Sequence, residues 1–117
     1  MSRTREVRFE ATERSGEVSG ILLRPGGARF LYVFGHGAGA GMRHAFMEAA
    51  AEALAERGVA TLRYHFPYME AGRGGPNPRP VLVGTVRSAV AEAARLLPDL
   101  PLLAGGKSMG GRMTSLA

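Results

Sequence analysis

The stretch Leu100-Pro-Leu-Leu-Ala-Gly-Gly-Lys-Ser-Met-Gly110 decides how this chain is read. Leu100–Ala104 has the length and apolar character of a short buried strand, and Met109–Ala117 reads as the start of a helix. Between them Gly105-Gly106 begins a sharp turn, and Gly106-Lys107-Ser108-Met109-Gly110 fits the pattern G-x-S-x-G. A serine at the apex of a tight strand-to-helix turn is held at a strained backbone angle. A Cβ two residues before or after it would crowd the turn, so Gly106 and Gly110 supply room on either side of Lys107 and Met109. The serine then stands above the sheet at a helix N-terminus, whose dipole favours a developing oxyanion. Ser108 is therefore the candidate nucleophile.

Upstream, the pattern alternates strand and helix. Glu6–Glu10 and Glu17–Leu23 are separated by Arg14-Ser-Gly16 and read as paired strands. Phe30–Phe34 is a continuous apolar run, suited to a strand buried on both faces of a parallel sheet. It leads into the loop Gly35-His-Gly-Ala-Gly-Ala-Gly41. From about Arg43 to Arg57, Phe46, Met47, Ala50, Ala51, Leu54 and Ala55 recur at helical spacing, and Gly58 stops the helix. Val59–Phe66 is the next strand, Pro67–Pro80 a long irregular loop, and Val83–Leu97 a second amphipathic helix ended by Pro98. The order β-α-β-α-β-α implies right-handed crossovers and a mostly parallel sheet with helices on both faces. Ligands of such sheets bind beyond the carboxyl ends of the strands. That edge gathers three loops: His36–Gly41, Pro67–Pro80 and Gly106–Gly110.

Acyl transfer through a serine needs two backbone N–H donors for its tetrahedral intermediate. One comes from the residue after the nucleophile, here Met109, and the other from a loop after an earlier strand. His36-Gly-Ala-Gly39 lies in that place, with Gly37 and Ala38 as the backbone contributors. Removing one such donor typically costs about 2.7–4 kcal/mol of barrier.

Three stretches, His36–Met42, Phe66-Pro-Tyr-Met-Glu-Ala71 and Gly106-Lys-Ser-Met-Gly-Gly-Arg112, resemble the α/β-hydrolase superfamily in its dienelactone-hydrolase-like region. They look closest to a branch of predicted hydrolases that includes testis-expressed protein 30 and subunit three of the non-specific-lethal complex. The resemblance covers about residues 17–117. It implies an α/β fold with strand order 1-2-4-3-5, the Ser108 strand beside the His36 strand, and a structural role for the His36 ring. It also implies esterase-like chemistry on a small acyl or ester substrate, with no cofactor and no metal. Dienelactone hydrolases proper use a cysteine, and this chain has none.

The family's chain order is Ser, then Asp or Glu, then His. The nine residues after Ser108 contain neither acid nor histidine. Asp99, the one Asp, precedes the nucleophile strand, whose five residues at about 3.3 Å each put it roughly 17 Å from the elbow. His65 ends a strand two places away, about 9–10 Å across the sheet. His44 reads as an exposed or capping residue. Lys107 could pair with Ser108 as in Ser-Lys dyads, but neighbours on a tight turn point apart, which favours a structural or substrate-edge role. The acid and base of a triad are thus absent from residues 1–117, which read as a single incomplete domain: the N-terminal half of an α/β-hydrolase fold with its C-terminal strands missing, inactive alone.

Other classes fit less well. A P-loop needs Gly where Pro101 stands. Gly35-His-Gly-Ala-Gly-Ala40 matches a dinucleotide fingerprint, yet Val59–Phe66 offers no ribose-binding acid, leaving only Arg63 to meet an NADP 2′-phosphate. A non-catalytic interaction module on the same fold is the main alternative. The net charge of +5 comes from fourteen Arg and one Lys spread singly, unlike the clustered patch of a nucleic-acid surface. No apolar run approaches the roughly 20 residues of a membrane span, and no apolar segment follows the basic N-terminus as a secretory signal would require. With no cysteine for disulfides, a cytoplasmic protein is expected.

Overall fold

A computed structural model describes residues 2–117. The elements follow as β1 (Ser2–Thr12), β2 (Gly16–Pro25), β3 (Phe30–Gly35), α1 (Ala45–Glu56), β4 (Val59–Tyr64), α2 (Pro67–Glu70), α3 (Arg79–Leu96), β5 (Leu102–Gly106) and α4 (Met109–Leu116). The strands form one sheet in the order β1-β2-β4-β3-β5, as the resemblance implied. β3 pairs in parallel with β4 and with β5. The β1–β2 hairpin is antiparallel and also joins β4 antiparallel, so the parallel part is three strands wide.

Alternation along β3 and β4 divides the sheet's two faces. Leu31 and Val33 of β3, with Ala60, Leu62 and Tyr64 of β4, join one large core with Leu82, Val86, Ala89 and Ala93 of α3 and Met109 and Met113 of α4. On the other face α1 packs on β4 and β2, burying Met47, Ala51 and Ala55.

Four expectations change. The loop Pro67–Pro80 is shorter than expected. Pro67 opens the single turn of α2, and Pro80 lies in the first turn of α3, where a proline has no intrahelical bond to lose. β5 runs over Leu102–Gly106 and not Leu100–Ala104, so Gly105 and Gly106 are strand residues and the turn comes later. β5 is also not buried: Leu103 is 49% exposed, because β3 is its one neighbour in the sheet and α4 covers it on one side. Phe30, at 37% exposure, likewise departs from a strand buried on both faces.

Candidate active site

The parallel ladder sets the elbow. Gly35 stands opposite Gly106 at the carboxyl ends of β3 and β5, and the Lys107 N–H donates to the Gly35 carbonyl at 3.0 Å. The chain then turns within one residue. Ser108 has φ 54° and ψ −112°, the one positive φ of a non-glycine residue among those described. Such a conformation typically costs about 1–3 kcal/mol and persists where its surroundings impose it. Here α4 begins at once: the Gly110 N–H donates to Lys107 O and the Arg112 N–H to Ser108 O, each at 3.0 Å. A Cβ on Gly106 would meet Gly35 O at 2.5 Å and Gly110 C at 2.8 Å. One on Gly110 would meet Gly35 O at 2.5 Å and His36 O at 2.7 Å. Side chains at both positions are excluded by backbone, which cannot give way.

Ser108 is exposed, and its hydroxyl makes no hydrogen bond to a described residue. Met109 is the first residue of α4, so its N–H has no intrahelical acceptor.

His36 organises the facing loop. It is fully buried, and its Nε2 accepts the Phe66 N–H at 3.1 Å. The proton must therefore sit on Nδ1, which donates to the Gly37 carbonyl at 2.7 Å. Burial lowers the His36 pKa to about 4, against the opposing hydrogen bond to Gly37 and with a smaller push from His65, so the ring works as a neutral clamp. Tyr68, buried on α2, donates its hydroxyl to the Ala38 carbonyl at 2.8 Å and lies against Met109 Sδ at 4.0 Å. The Asn77 side chain holds Tyr68 in turn by accepting its N–H at 2.9 Å. In a trans peptide the C=O and N–H point opposite ways. With the carbonyls of Gly37 and Ala38 pinned by His36 and Tyr68, the N–H groups of Ala38 and Gly39 turn away from those two rings.

A cavity of about 270 Å³ opens between the loop, the elbow and the start of α1, lined by Gly37–Ala40, His44, Met47, Lys107 and Ser108. A larger cleft of about 620 Å³ lies under α1 beside Glu48, Glu52, Glu56 and Arg63, away from the elbow.

The histidines and charged candidates fall in separate places. His44 caps α1, its Nδ1 accepting the Phe46 N–H at 3.2 Å. His65 Nδ1 lies 3.0 Å from Glu70 Oε1, and its ring packs over Gly41, where a Cβ would meet Nε2 at 2.7 Å. That contact engages His65 with α2 and the loop, and no hydrogen bond joins it to Ser108. Glu70 also accepts the Ser19 N–H and hydroxyl, each at 2.9 Å. Burial opposes ionisation of Glu70, but the hydrogen bonds from Ser19 and His65 outweigh it and hold the carboxyl below its usual range. Asp99 lies in the turn before β5, at the far end of that strand from Ser108. The Lys107 ammonium lies over the Phe46 ring at 5.7 Å from its centroid, a cation–π contact worth about 0.5–1 kcal/mol at an exposed site.

Arg63 is buried, donates to Met42 O at 3.0 Å and lies in the mixed field of Glu48, Arg43 and Glu52, so its guanidinium is engaged within the fold and not presented at the carboxyl ends of the strands. The NADP reading loses its one cation. No group of three or more potential metal ligands occurs among the described residues. No helix among them is long and apolar enough to cross a membrane. Tyr68 and Asn77 went unread as site residues in the sequence, since the Pro-rich stretch around them gives no periodic signal of a short helix.

A family model described as Alpha/beta hydrolase domain matches residues 28–117, and the chain belongs to that family. No curated protein matches the sequence. Its fold is similar to that of a dienelactone hydrolase from Anabaena variabilis (TM-score 0.82, 21% identity, 97% of this chain and 55% of that one). It is also similar to an alpha-beta serine hydrolase homologue from Coxiella burnetii (TM-score 0.79, 17% identity, 96% and 55%). A cold-adapted esterase from an Arctic intertidal metagenomic library gives a TM-score of 0.75 at 19% identity, over 98% and 54%. The chain thus spans a little over half the length of these structures.

Proposed function

We propose that this chain carries the nucleophile and oxyanion half of a serine hydrolase acting on a small acyl ester. The observation that carries the reading is Ser108 at φ 54°, exposed at the N-terminus of α4 and lining a cavity with Gly37 and Ala38. In this reading Ser108 attacks the ester carbonyl, and the N–H of Met109 with those of the Gly37–Ala38 loop receive the oxyanion. Gly106, Lys107 and Gly110 shape the elbow. The acid and base come from a segment outside these 117 residues, so the single incomplete domain is inactive alone, since an unassisted hydroxyl is a poor nucleophile at neutral pH. The finer affinity with the branch of testis-expressed protein 30 and non-specific-lethal subunit three rests on the three stretches quoted above, and the cytoplasmic setting on the cysteine-free sequence.

Residues 1–117 should hydrolyse p-nitrophenyl acetate no faster than their Ser108→Ala variant. Coding DNA read past Ala117 should add an Asp and then a His. Expression of that longer chain should bring turnover that Ser108→Ala lowers by about 10⁴-fold or more. A stop codon directly after Ala117, or turnover indifferent to Ser108, would favour the non-catalytic interaction module.

A further inference from the structure

The cleft of about 620 Å³ under α1 takes no part in the elbow, and its walls carry charges that the fold does not need. Glu48, Glu52 and Glu56 line it at intervals of four residues, so they stand in one row along α1, about 6 Å apart along the helix axis. None of the three forms an ion pair with a described residue. Like charges at that spacing repel. Glu56 also sits in the last turn, where the helix dipole disfavours an anion and no basic residue compensates. The row therefore works against the stability of α1.

A half-used cation lines the same cleft. Arg63 is 5% exposed, and its Nη1 donates to Met42 O. Its Nε is buried with no hydrogen-bond partner, and Nη2 makes no hydrogen bond to a described residue. Nε and Nη2 form the fork that matches the two oxygens of a carboxylate. Glu48 and Glu52 attract the guanidinium through space, against Arg43, but neither forms an ion pair with it. A buried donor left unpaired is costly, so the fork calls for an acceptor from outside the chain.

The strand register gives the cleft a direction. Ile21 stands opposite Arg63 and Leu23 opposite Thr61, so Leu23 and then Pro25 lie progressively further from Arg63. Glu48 and Glu52 are the row members whose field reaches Arg63, and Glu56 lies beyond them. From one end to the other, the cleft offers a fork for a carboxylate, two carboxylates, an apolar wall and a third carboxylate.

We infer that this cleft is a binding site for a basic amino acid such as lysine. The α-carboxylate takes the free fork of Arg63, and the α-ammonium lies between Glu48 and Glu52. The methylene stem runs along Leu23 and Pro25, and the side-chain cation meets Glu56. The cleft volume, equivalent to about twenty waters at roughly 30 Å³ each, holds such a molecule with part of its hydration. The site is separate from Ser108 and does not depend on the hydrolase reading.

The test is a titration of the ¹⁵N-labelled 117-residue chain with three compounds. L-Lysine carries every group, L-norleucine lacks the side-chain ammonium, and cadaverine keeps both ammoniums but lacks the carboxylate. L-Lysine should shift the amides of Leu23, Glu52 and Glu56 saturably and leave those of Gly39 and Met109 in place. Norleucine should bind about fivefold more weakly, the worth of one exposed ion pair. Cadaverine should bind about tenfold more weakly or worse, because the Arg63 fork is then left unpaired. Glu56→Gln should weaken lysine binding about fivefold and leave norleucine binding unchanged, and its thermal unfolding should match or exceed that of the wild type. Cadaverine binding as tightly as lysine, or lysine binding indifferent to Glu56→Gln, would reduce the row to an unselective acidic surface and overturn the inference. The absence of saturable shifts, or shifts confined to Gly39 and Met109, overturns it as well.

Discussion

On one face of the sheet α3 and α4 cover Leu31, Val33, Ala60 and Leu62 until none is more than 1% exposed. On the other, α1 covers β4 and β2, and Phe30 and Leu103 stand open on β3 and β5. The elbow lies between these two regimes. Met109 and Met113 sink into the large core and anchor α4, while Ser108 faces the cavity that α1 only partly closes. A strained residue needs rigid surroundings, and a substrate needs room. The uneven packing supplies rigidity from one side and space from the other.

The largest expected effect tests that asymmetry directly. Leu62→Ala, in the centre of the packed face, should cost about 2–5 kcal/mol of unfolding free energy in urea. Leu103→Ala, on the open edge strand, should change it by less than about 0.5 kcal/mol. Comparable losses at the two positions would mean that β5 is as tightly held as β4, and the contrast between the faces would collapse.

The sequence carried the sheet order only through resemblance, but it carried the elbow through local physics. Gly106 and Gly110 are needed because backbone atoms occupy the space of their absent side chains, and spacing alone announces that. The exposure of β5 was not legible in the same way. Leu102, Leu103 and Ala104 have buried-strand composition, and burial depends on what packs beside them, which no local pattern encodes. The clamp on the loop after β3 was half legible. His36 stood in a quoted motif, but its partner is the Phe66 N–H, thirty positions away, and Tyr68 reaches Ala38 across the same separation. Non-local hydrogen bonds of this kind leave no periodicity to read. His44, by contrast, reads from the sequence as an exposed or capping residue, and the partner it caps, the Phe46 N–H, lies only two positions on.

His36 extends the packed region into the loop, and its burial makes stability depend on pH. Its pKa falls from an ordinary 6.5 to about 4 on folding. Above pH 6.5 both states hold the ring neutral and nothing is lost. As pH falls from 6.5 to about 4, the unfolded chain takes up a proton that the folded chain refuses. Stability should therefore drop by about 3 kcal/mol across that window. His36→Asn should flatten this part of the profile in urea melts at a series of pH values. Glu70 acts in a lower window: its depressed pKa gives stability that is present above about 4.5 and lost as pH falls further. A profile already flat between pH 6.5 and 4 in the wild type would show that water reaches His36 and that the packed region stops at the strand ends.

The smallest effect is the most local. Tyr68→Phe keeps the ring in the core beside His36 and removes only the hydroxyl that donates to the Ala38 carbonyl at 2.8 Å. The global cost should be about 1 kcal/mol, the usual net worth of one hydrogen bond. Its consequence should concentrate where the packed face meets the cavity. Without that donor the Ala38–Gly39 peptide plane is free to rotate, and the Gly39 N–H loses its direction. Hydrogen exchange should therefore speed up at Gly39 by more than the global loss predicts, with the amides of β4 changing only in step with the global stability. Exchange that rises uniformly would make Tyr68 an ordinary core residue. Exchange that rises at the loop alone would make it the strut by which the rigid face of the sheet shapes the open one.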